Sequence, residues 1–178
     1  MLITKYLSFS SLQLALLTLI FCVALAASVN ASAADKHPVA IVIHGGAGTI
    51  RRELMSPEIE AEYRAILSKA ILSGHKVLTA GGSSRDAIIA TITLMEDSPL
   101  FNAGHGAVFN HEGNIELDAS IMEGRTLNAG AVAAITQIKS PIKLANAVLD
   151  HSPHVMLVGA GAEIFAQQQG FKLVANDS

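Results

Sequence analysis

The first clear pattern along the chain is a run of five apolar residues, 39–43, that ends abruptly in His-Gly-Gly-Ala-Gly at residues 44–48. Polar and apolar positions do not alternate in this run, which is typical of a strand that is buried on both faces. Glycines directly after a strand allow a sharp turn or the close approach of another group to the backbone. The pattern therefore predicts a buried first strand followed by a tight glycine loop.

Two helices are predicted after this loop. Ser56 followed by Pro57 is a common helix start, and apolar residues then recur at helical spacing up to the sequence Ala-Gly-Gly at 80–82. The sequence Ser-Ser-Arg-Asp at 83–86 resembles a capping box and begins a second helix. We expect that helix to end at Asp97, because Ser98-Pro99 disfavours its continuation.

The pattern changes after Pro99, where apolar and polar positions begin to alternate. The sequence His-Glu-Gly-Asn at 111–114 predicts a turn between two short strands, with the apolar residues at 115, 117, 119 and 121 on one face. Further strands are predicted at 129–138 and 154–159, helices at 141–148 and 161–169, and a strand beginning at 171. This grouping of helices and strands, with antiparallel links, predicts a layered α+β fold and not a doubly wound parallel sheet.

Residues 1–33 resemble a secretory signal peptide. A lysine at position 5 precedes an apolar segment at 14–27, and small residues at 31 and 33 favour cleavage before Ala34, with cleavage after Ala26 or Ala27 as the alternative. The apolar segment is shorter than the ~20 residues that a membrane-spanning helix needs, although a membrane anchor is the other interpretation. The sequence thus predicts a secreted or periplasmic protein of residues 34–178, with no membrane association after cleavage.

Composition narrows the possible partners. The only cysteine, Cys22, lies in the predicted signal peptide, so the mature chain would form no disulfide, which suits a bacterial periplasm. The 12 basic and 15 acidic residues give a formal net charge of −3, and no basic run is present. Nucleic acid is therefore not an expected partner.

Two other enzyme or binding classes could use the glycine loop. An esterase oxyanion loop of the HGGG type also needs a serine in the pattern G-x-S-x-G, which does not occur between residues 49 and 178. Each G-x-G sequence lacks the third glycine of a dinucleotide site, and no Walker-type sequence is present, so tight turns are favoured over phosphate binding. A serine esterase fragment and a glycine-loop module that binds anions remain alternatives.

The spacing of histidine and acidic residues gives little support for a transition-metal site or a paired-carboxylate site. The seven histidines show no H-E-x-x-H spacing. Glu116 and Asp118 share a strand face, which is usually a solvated face. The loop at 95–110 is different, because proline, glycine and small residues surround Asn102. Inward-facing carbonyls of such a loop could bind Na⁺ or Ca²⁺, and the favoured alternative is that Asn102 bonds its own backbone.

Taken together, five stretches resemble the plant-type L-asparaginases, also called isoaspartyl peptidases. The resemblance extends over residues 39–171 and is carried, in order and spacing, by HGGAG, SPLFNAGHGAVF, ELDASIMEGRTLNAGAVAAI, SPIKLANAVL and SPHVMLVGAGAEIFA. The related glycosylasparaginases resemble the third stretch but generally not the second, and a glycosylasparaginase-like amidase is the alternative within the same superfamily.

The resemblance implies an N-terminal-nucleophile hydrolase with an αββα sandwich, of which this chain would form a part. In that family the precursor cuts itself before a threonine, which then attacks the side-chain amide of L-asparagine or the isopeptide bond of a β-aspartyl dipeptide. The family uses no organic cofactor, binds a structural Na⁺ and assembles as an (αβ)₂ heterotetramer.

One departure from the family pattern concerns the nucleophile. No threonine of this chain has the Gly-Thr context before an apolar strand that the family requires. Residues 34–178 therefore resemble a truncated α-subunit region, without the β-subunit region that holds the nucleophile and the arginine and aspartate that anchor substrate. We expect the chain alone to be inactive.

The resemblance also assigns roles to residues that are present. Asn102 matches the asparagine beside the nucleophile, and the glycine loop, His44, Gly45, Gly46 and Gly48, matches a loop near it. The backbone carbonyls expected to bind Na⁺ are those of Met95, Glu96, Ser98, Phe101, Ala103 and His105.

Overall fold

The computed structural model describes residues 38–46 and 55–176. The predicted signal peptide, residues 1–33, and Gly48 of the glycine loop lie outside the described residues. Among the described residues, no helix combines the length and the hydropathy needed to cross a membrane.

The first two helices form a hairpin, and both begin where the sequence predicts. Helix α1 spans Pro57–Thr79, and the side chain of its N-cap, Ser56, accepts a hydrogen bond from a first-turn backbone N–H. Helix α2 spans Ser84–Glu96 after the N-cap Ser83 and ends one residue earlier than expected. These starts are local, since each capping serine bonds a backbone N–H within three residues.

The two helices approach closely at Gly74. A Cβ atom at this position would contact the Thr91 hydroxyl and would lie 2.9 Å from the Ala87 carbonyl oxygen. Ala70 and Ala87 are also buried at this contact between helices. Small residues therefore allow α1 and α2 to pack with little space between their backbones.

A three-stranded mixed sheet follows, in the order β1-β2-β3. Strand β1 spans Leu117–Met122, β2 spans Ala129–Ile135 and β3 spans Met156–Val158. The expected antiparallel link is confirmed between β1 and β2. The same expectation is wrong for β2 and β3, which pair in parallel. Helix α3, Pro141–His151, connects these two strands, and such a connection lets the chain return in the same direction.

The last helix and two isolated bridges complete the described fold. Helix α4 spans Gly159–Gln168 and begins two residues before the predicted start. One bridge joins Phe109 to Ile115 across the predicted turn at 111–114, and the other joins Ile138 to Leu173. The first predicted strand of that hairpin and the strand expected at 171–175 are therefore each reduced to a single bridge. The α+β fold class is confirmed.

The two faces of the sheet differ in their surroundings. Helix α3 packs on one face, where Gly130 lies so close to the helix that a Cβ would be 2.5 Å from the backbone nitrogen of Leu149. The core on this side contains Leu117, Ile121, Val132, Ile135, Leu144 and Val148. On the opposite face Met122, Met156 and Val158 are 56%, 50% and 56% exposed. The alternation predicted for β1 is confirmed, because Asp118 and Ser120 are exposed, whereas Leu117 and Ile121 are buried and Ala119 is half-buried.

The prediction of a buried first strand at 39–43 is wrong. These residues have no strand assignment, and Val42 is 90% exposed. A strand exists only where a neighbour supplies the paired N–H and C=O groups, and none of the described strands pairs with this segment. Only part of the run is in contact, since the Ile41 side chain lies against Gly74.

Candidate functional site

The candidate site is centred on the loop that follows α2, residues 97–108, which we call the Asn102 loop. The carboxamide oxygen of Asn102 accepts a hydrogen bond of 3.0 Å from the backbone N–H of Val108. This bond spans six residues and joins the middle of the loop to its end. Asn102 therefore orders its own loop, as the favoured interpretation of the sequence predicted, and its side chain is also exposed to solvent.

Main-chain hydrogen bonds close the loop further. The N–H of Ala103 donates to the Phe101 carbonyl at 2.8 Å, and the N–H of Gly106 donates to the Ala103 carbonyl at 3.1 Å. Gly104 has a φ of +53° and packs against the Glu96 carbonyl, where a Cβ would not fit. Gly106 is equally confined, because a Cβ on this residue would lie 2.7 Å from the Pro99 carbonyl oxygen. The two glycines thus allow several carbonyl groups to crowd into one small loop.

Backbone carbonyls, and not a cluster of side-chain ligands, are the groups that this loop offers to a cation. Of the residues that the structure describes, no three or more histidine, cysteine or acidic residues form a group that could hold a metal ion. The carbonyls of Phe101 and Ala103 each accept one N–H, and a carbonyl oxygen has a second lone pair for another partner. Neutral oxygen donors of this kind suit Na⁺ or Ca²⁺.

The glycine loop contacts the Asn102 loop through an aromatic ring. A Cβ at Gly45 would lie 3.4 Å from the Phe101 ring and 3.5 Å from Leu67 of α1. Gly46 has a φ of +116°, and its N–H donates to Nδ1 of His44 at 3.3 Å. Three of the four glycine-loop residues predicted as site neighbours are therefore described, and Gly45 lies directly beside the residue that precedes Asn102.

Tyr63 of α1 fixes this contact, although the sequence suggested no role for it beyond the apolar face of its helix. Its ring meets the Phe101 ring edge-to-face, with centroids 5.7 Å apart and planes at 84°. Its hydroxyl donates to the Leu100 carbonyl at 2.7 Å. No local sequence signal marks this pair, because 37 residues separate the tyrosine from the carbonyl that it binds.

Glu96, the last residue of α2, holds the other side of the loop. Sequence reasoning assigned a role to its backbone carbonyl but missed its side chain, and the residue is only 3% exposed. The carboxylate accepts a hydrogen bond of 2.5 Å from the Ser140 hydroxyl and one of 2.8 Å from the Ile142 N–H. Burial raises the pKa of Glu96 above its ordinary range, although these two hydrogen bonds act in the opposite direction.

A cavity of about 390 Å³ borders the same region. Asn102 does not line it. Two of its lining residues, Lys139 and Asp97, form an ion pair with a distance of 3.2 Å. The side-chain amide of Asn176, also in the lining, donates a hydrogen bond of 3.0 Å to the Ile115 carbonyl. The lining residues are Glu96, Asp97, Gly104, His105, Ile115, Leu117, Thr136, Ile138, Lys139, Val174, Ala175 and Asn176.

Other candidates from the sequence are not brought together. Glu116 and Asp118 do not form a paired-carboxylate site, because the Asp118 carboxylate instead accepts the Ala134 N–H at 2.8 Å. Ala134 has a φ of +49°, and the pairing register of β1 and β2 shifts beside Asp118. This carboxylate therefore stabilises an irregular part of the sheet.

The whole sequence shows to which protein family the chain is related. The sequence model of the family described as Asparaginase matches residues 37–178. The chain belongs to the asparaginase family. This asparaginase-family chain is 49% identical over 137 residues to an isoaspartyl peptidase of Salmonella typhimurium, an alignment that covers 77% of the chain and 44% of the relative.

Two further relatives come from distant organisms. An isoaspartyl peptidase/L-asparaginase of Xenopus laevis is 47% identical over 138 residues, which cover 78% of the chain and 43% of that protein. A plant-type L-asparaginase of Pyrococcus abyssi is 48% identical over 133 residues, which cover 75% of the chain and 42% of that protein. The asparaginase-family chain therefore spans less than half the length of these curated relatives.

Proposed function

We propose that this chain forms the N-terminal, α-subunit part of an amidohydrolase that cleaves the side-chain amide of L-asparagine and β-aspartyl dipeptides. The observation that carries this proposal is the contact between the glycine loop and the Asn102 loop, formed where Gly45 meets Phe101. The names of the relatives, isoaspartyl peptidase and L-asparaginase, support the same reaction class.

In the proposed enzyme this chain would form one side of the active site. Asn102 would lie beside a nucleophilic threonine that further sequence supplies, and its loop would keep the carboxamide in one orientation through the bond to Val108. The lack of a side chain at Gly45 and the positive φ of Gly46 would let backbone atoms lie against the reacting groups. Fixed positions of this kind lower the entropic part of the barrier.

A threonine nucleophile would arise by self-cleavage of a precursor, and its α-amino group would serve as the base. Because the chain spans less than half of its relatives, we propose that it is inactive without further residues. The complete enzyme would be an (αβ)₂ assembly, exported to the periplasm or secreted after removal of residues 1–33.

The Asn102 loop would hold a structural sodium ion. Backbone carbonyls of this loop and of the end of α2 would provide the ligands, namely those of Met95, Glu96, Ser98, Phe101, Ala103 and His105. A bound cation would supply positive charge that keeps these carbonyls together. Because the ligands are main-chain atoms, the chain's own contribution is the tight path that Gly104 and Gly106 permit.

The exposed face of the sheet supports a sandwich architecture. Met122, Met156 and Val158 lie on that face, opposite the helix-covered core. We propose that a second sheet covers them in the complete protein and that the result is the αββα arrangement. Burial of this apolar area would contribute to joining the two parts.

The decisive experiment measures product release by the protein that the complete gene encodes. L-Asparagine, a β-aspartyl dipeptide and an N-glycosylated asparagine are supplied separately, and aspartate release is followed. We expect cleavage of the first two substrates. Cleavage of the glycosylated substrate alone would instead support the glycosylasparaginase alternative, and no cleavage of any substrate would contradict the proposal.

Asn102→Ala provides the test of the site, with Asn110→Ala as its matched control. Both asparagines use their carboxamide oxygen to order a nearby loop, since Asn110 accepts the N–H groups of Glu112 and Asn114 at 3.0 and 2.9 Å. Asn102→Ala should lower kcat by about tenfold or more and stability by only about 1 kcal/mol. Equal losses of activity in the two variants would assign Asn102 a purely structural role.

A further inference from the structure

The segment of residues 136–142, which comprises the connection between β2 and α3 and the first two residues of α3, is bound by carboxylates of two other helices. We call this segment the junction. Its first residues bind Glu163 of α4, and its last residues bind Glu96 of α2. It is therefore the place where the Asn102 loop, the sheet and the last helix are joined.

Glu163 binds the start of the junction. One of its carboxylate oxygens accepts the N–H of Thr136 at 2.7 Å, the hydroxyl of Thr136 at 2.9 Å and the N–H of Gln137 at 3.1 Å. Because these donors bind Glu163, they do not continue the strand, which explains why β2 ends at Ile135 and not at residue 138 as the sequence predicted.

Glu96 binds the end of the junction, at the N-terminus of α3. The first N–H groups of a helix have no partner within the helix and are usually capped by the preceding side chain. The N-cap Ser140 makes no such bond to its helix. Its hydroxyl donates to Glu96, and the other carboxylate oxygen of Glu96 accepts the Ile142 N–H in its place. The cap of α3 thus comes from another helix, 46 residues earlier in the chain.

Glu96 also directly precedes the Asn102 loop. Gly104 packs directly on the backbone carbonyl of Glu96, so the position of Glu96 limits where the loop can lie. Asp97, the next residue, pairs with Lys139 of the junction at 3.2 Å. This exposed ion pair is expected to be weak, and the buried carboxylate is the stronger link between the two segments.

We propose that the Glu96 side chain is a positioning residue, which fixes the Asn102 loop by capping α3 from outside the helix. Its effect on catalysis rests on the proposed function, whereas its effect on the loop does not. Loss of the carboxylate would leave the Ile142 N–H and the Ser140 hydroxyl without this partner and would let the start of the loop move.

The variants separate hydrogen bonding from bulk. Glu96→Ala removes both bonds. Glu96→Gln keeps an acceptor for Ile142, and the Ser140 hydroxyl can rotate to accept from the new amide, so this variant should rescue the loop. Glu163→Ala is the matched control, because it removes a carboxylate from the other end of the same junction. Ser140→Ala removes only one of the two bonds and serves if Glu96→Ala does not fold.

Hydrogen exchange of the backbone amides, measured on the chain itself, is the direct readout. We expect Glu96→Ala to speed exchange at residues 97–108 by about tenfold. Glu163→Ala should speed exchange at residues 136–138 and leave 97–108 near the wild-type rates. Ser140→Ala should give an intermediate increase in the loop, and Glu96→Gln should remain close to wild type.

Two results would overturn the proposal. One is an unchanged loop in Glu96→Ala or, if that variant does not fold, in Ser140→Ala. The other is an equal increase in the loop for Glu96→Ala and Glu163→Ala, because that result would indicate a general loss of stability. Glu96→Gln behaving like Glu96→Ala would contradict the hydrogen-bond explanation.

A second measurement links the loop to turnover in the protein that the complete gene encodes. With a β-aspartyl dipeptide, Glu96→Ala should lower kcat more than it changes KM, and Glu163→Ala should lower thermal stability while kcat of the folded protein is kept. Normal kcat in Glu96→Ala with a loosened loop would contradict the positioning role. An inactive wild type with the expected exchange pattern would contradict only the proposed function.

Discussion

The two faces of the three-stranded sheet have opposite environments although the same strands form them. On one face Val132 and Ile135 are buried beneath α3, with 1% and 0% of their surfaces exposed. On the other face Met122 and Met156 keep half or more of their surface exposed. The helix-covered face therefore stabilises the chain as it stands, and the exposed face carries apolar surface that its own fold does not use.

The covered face should therefore determine the stability of this chain, and the exposed face its association with the rest of the enzyme. Isolated exposed apolar side chains are normal on protein surfaces, but Met122 on one outer strand and Met156 and Val158 on the other share one face of the sheet and form a candidate interaction surface. Substitutions on the covered face should change the stability of this chain. Substitutions on the exposed face should act only when the rest of the enzyme is present.

The largest effect is expected from Leu144→Ala, with Met122→Ala as the comparison. Leu144 of α3 is completely buried, so its truncation should lower the free energy of unfolding by about 3 kcal/mol. Met122→Ala on the exposed face should change it by about 0.5 kcal/mol or less. Urea denaturation of the chain measures both values, and equal losses would remove the distinction between the faces.

A smaller effect is expected from Gly130→Ala. The new Cβ would contact the Ala145 carbonyl and the backbone of Leu149, which cannot move aside like a flexible side chain. We expect a loss of about 2 kcal/mol. Gly124→Ala is the control, because no atom lies within 4 Å of its Cβ position. If both variants are equally stable, α3 does not pack on the sheet as closely as described.

The smallest predicted effect concerns the pH dependence of stability. Burial raises the pKa of Glu96 above its ordinary value of 4.5, so the folded state binds a proton more tightly than the unfolded state. The contribution of Glu96 to stability is therefore largest below pH 4.5 and falls as the pH rises from there through the folded-state pKa. Glu96→Gln should remove this fall.

Denaturation midpoints of wild type and Glu96→Gln, measured from below pH 4.5 to neutral pH, test this sign. The stability of Glu96→Gln relative to wild type should improve as the pH rises. A relative stability that declines with rising pH would mean that hydrogen bonding, and not burial, controls the carboxylate.

Local signals explain what the sequence predicted correctly. The starts of α1 and α2 depend on Ser56 and Ser83, each of which bonds an N–H only three residues away. The alternation of β1 similarly follows from the period of a strand. The α+β class follows from these elements. The assignment of the Asn102 loop and the glycine loop to a functional site stays a prediction.

Long-range partners explain what the sequence could not predict. Residues 39–43 have the composition of a strand, but a strand also needs a neighbour that local sequence does not specify. The parallel pairing of β2 with β3 depends on how α3 crosses the sheet. Within the site, Tyr63 binds a carbonyl 37 residues away. Glu96 binds groups that lie 44 and 46 residues away, so no local sequence pattern indicates either contact.

The accessibility of the exposed sheet face most directly tests whether this face is covered in the complete enzyme. Met156→Cys, in a chain with Cys22→Ser, is labelled with a thiol reagent in the isolated chain and in the protein from the complete gene. Gly124→Cys is the control for an open position. We expect rapid labelling of both positions in the isolated chain and strong protection of position 156 alone in the complete protein. Equal labelling rates at position 156 in the two proteins would contradict the proposed covering of this face.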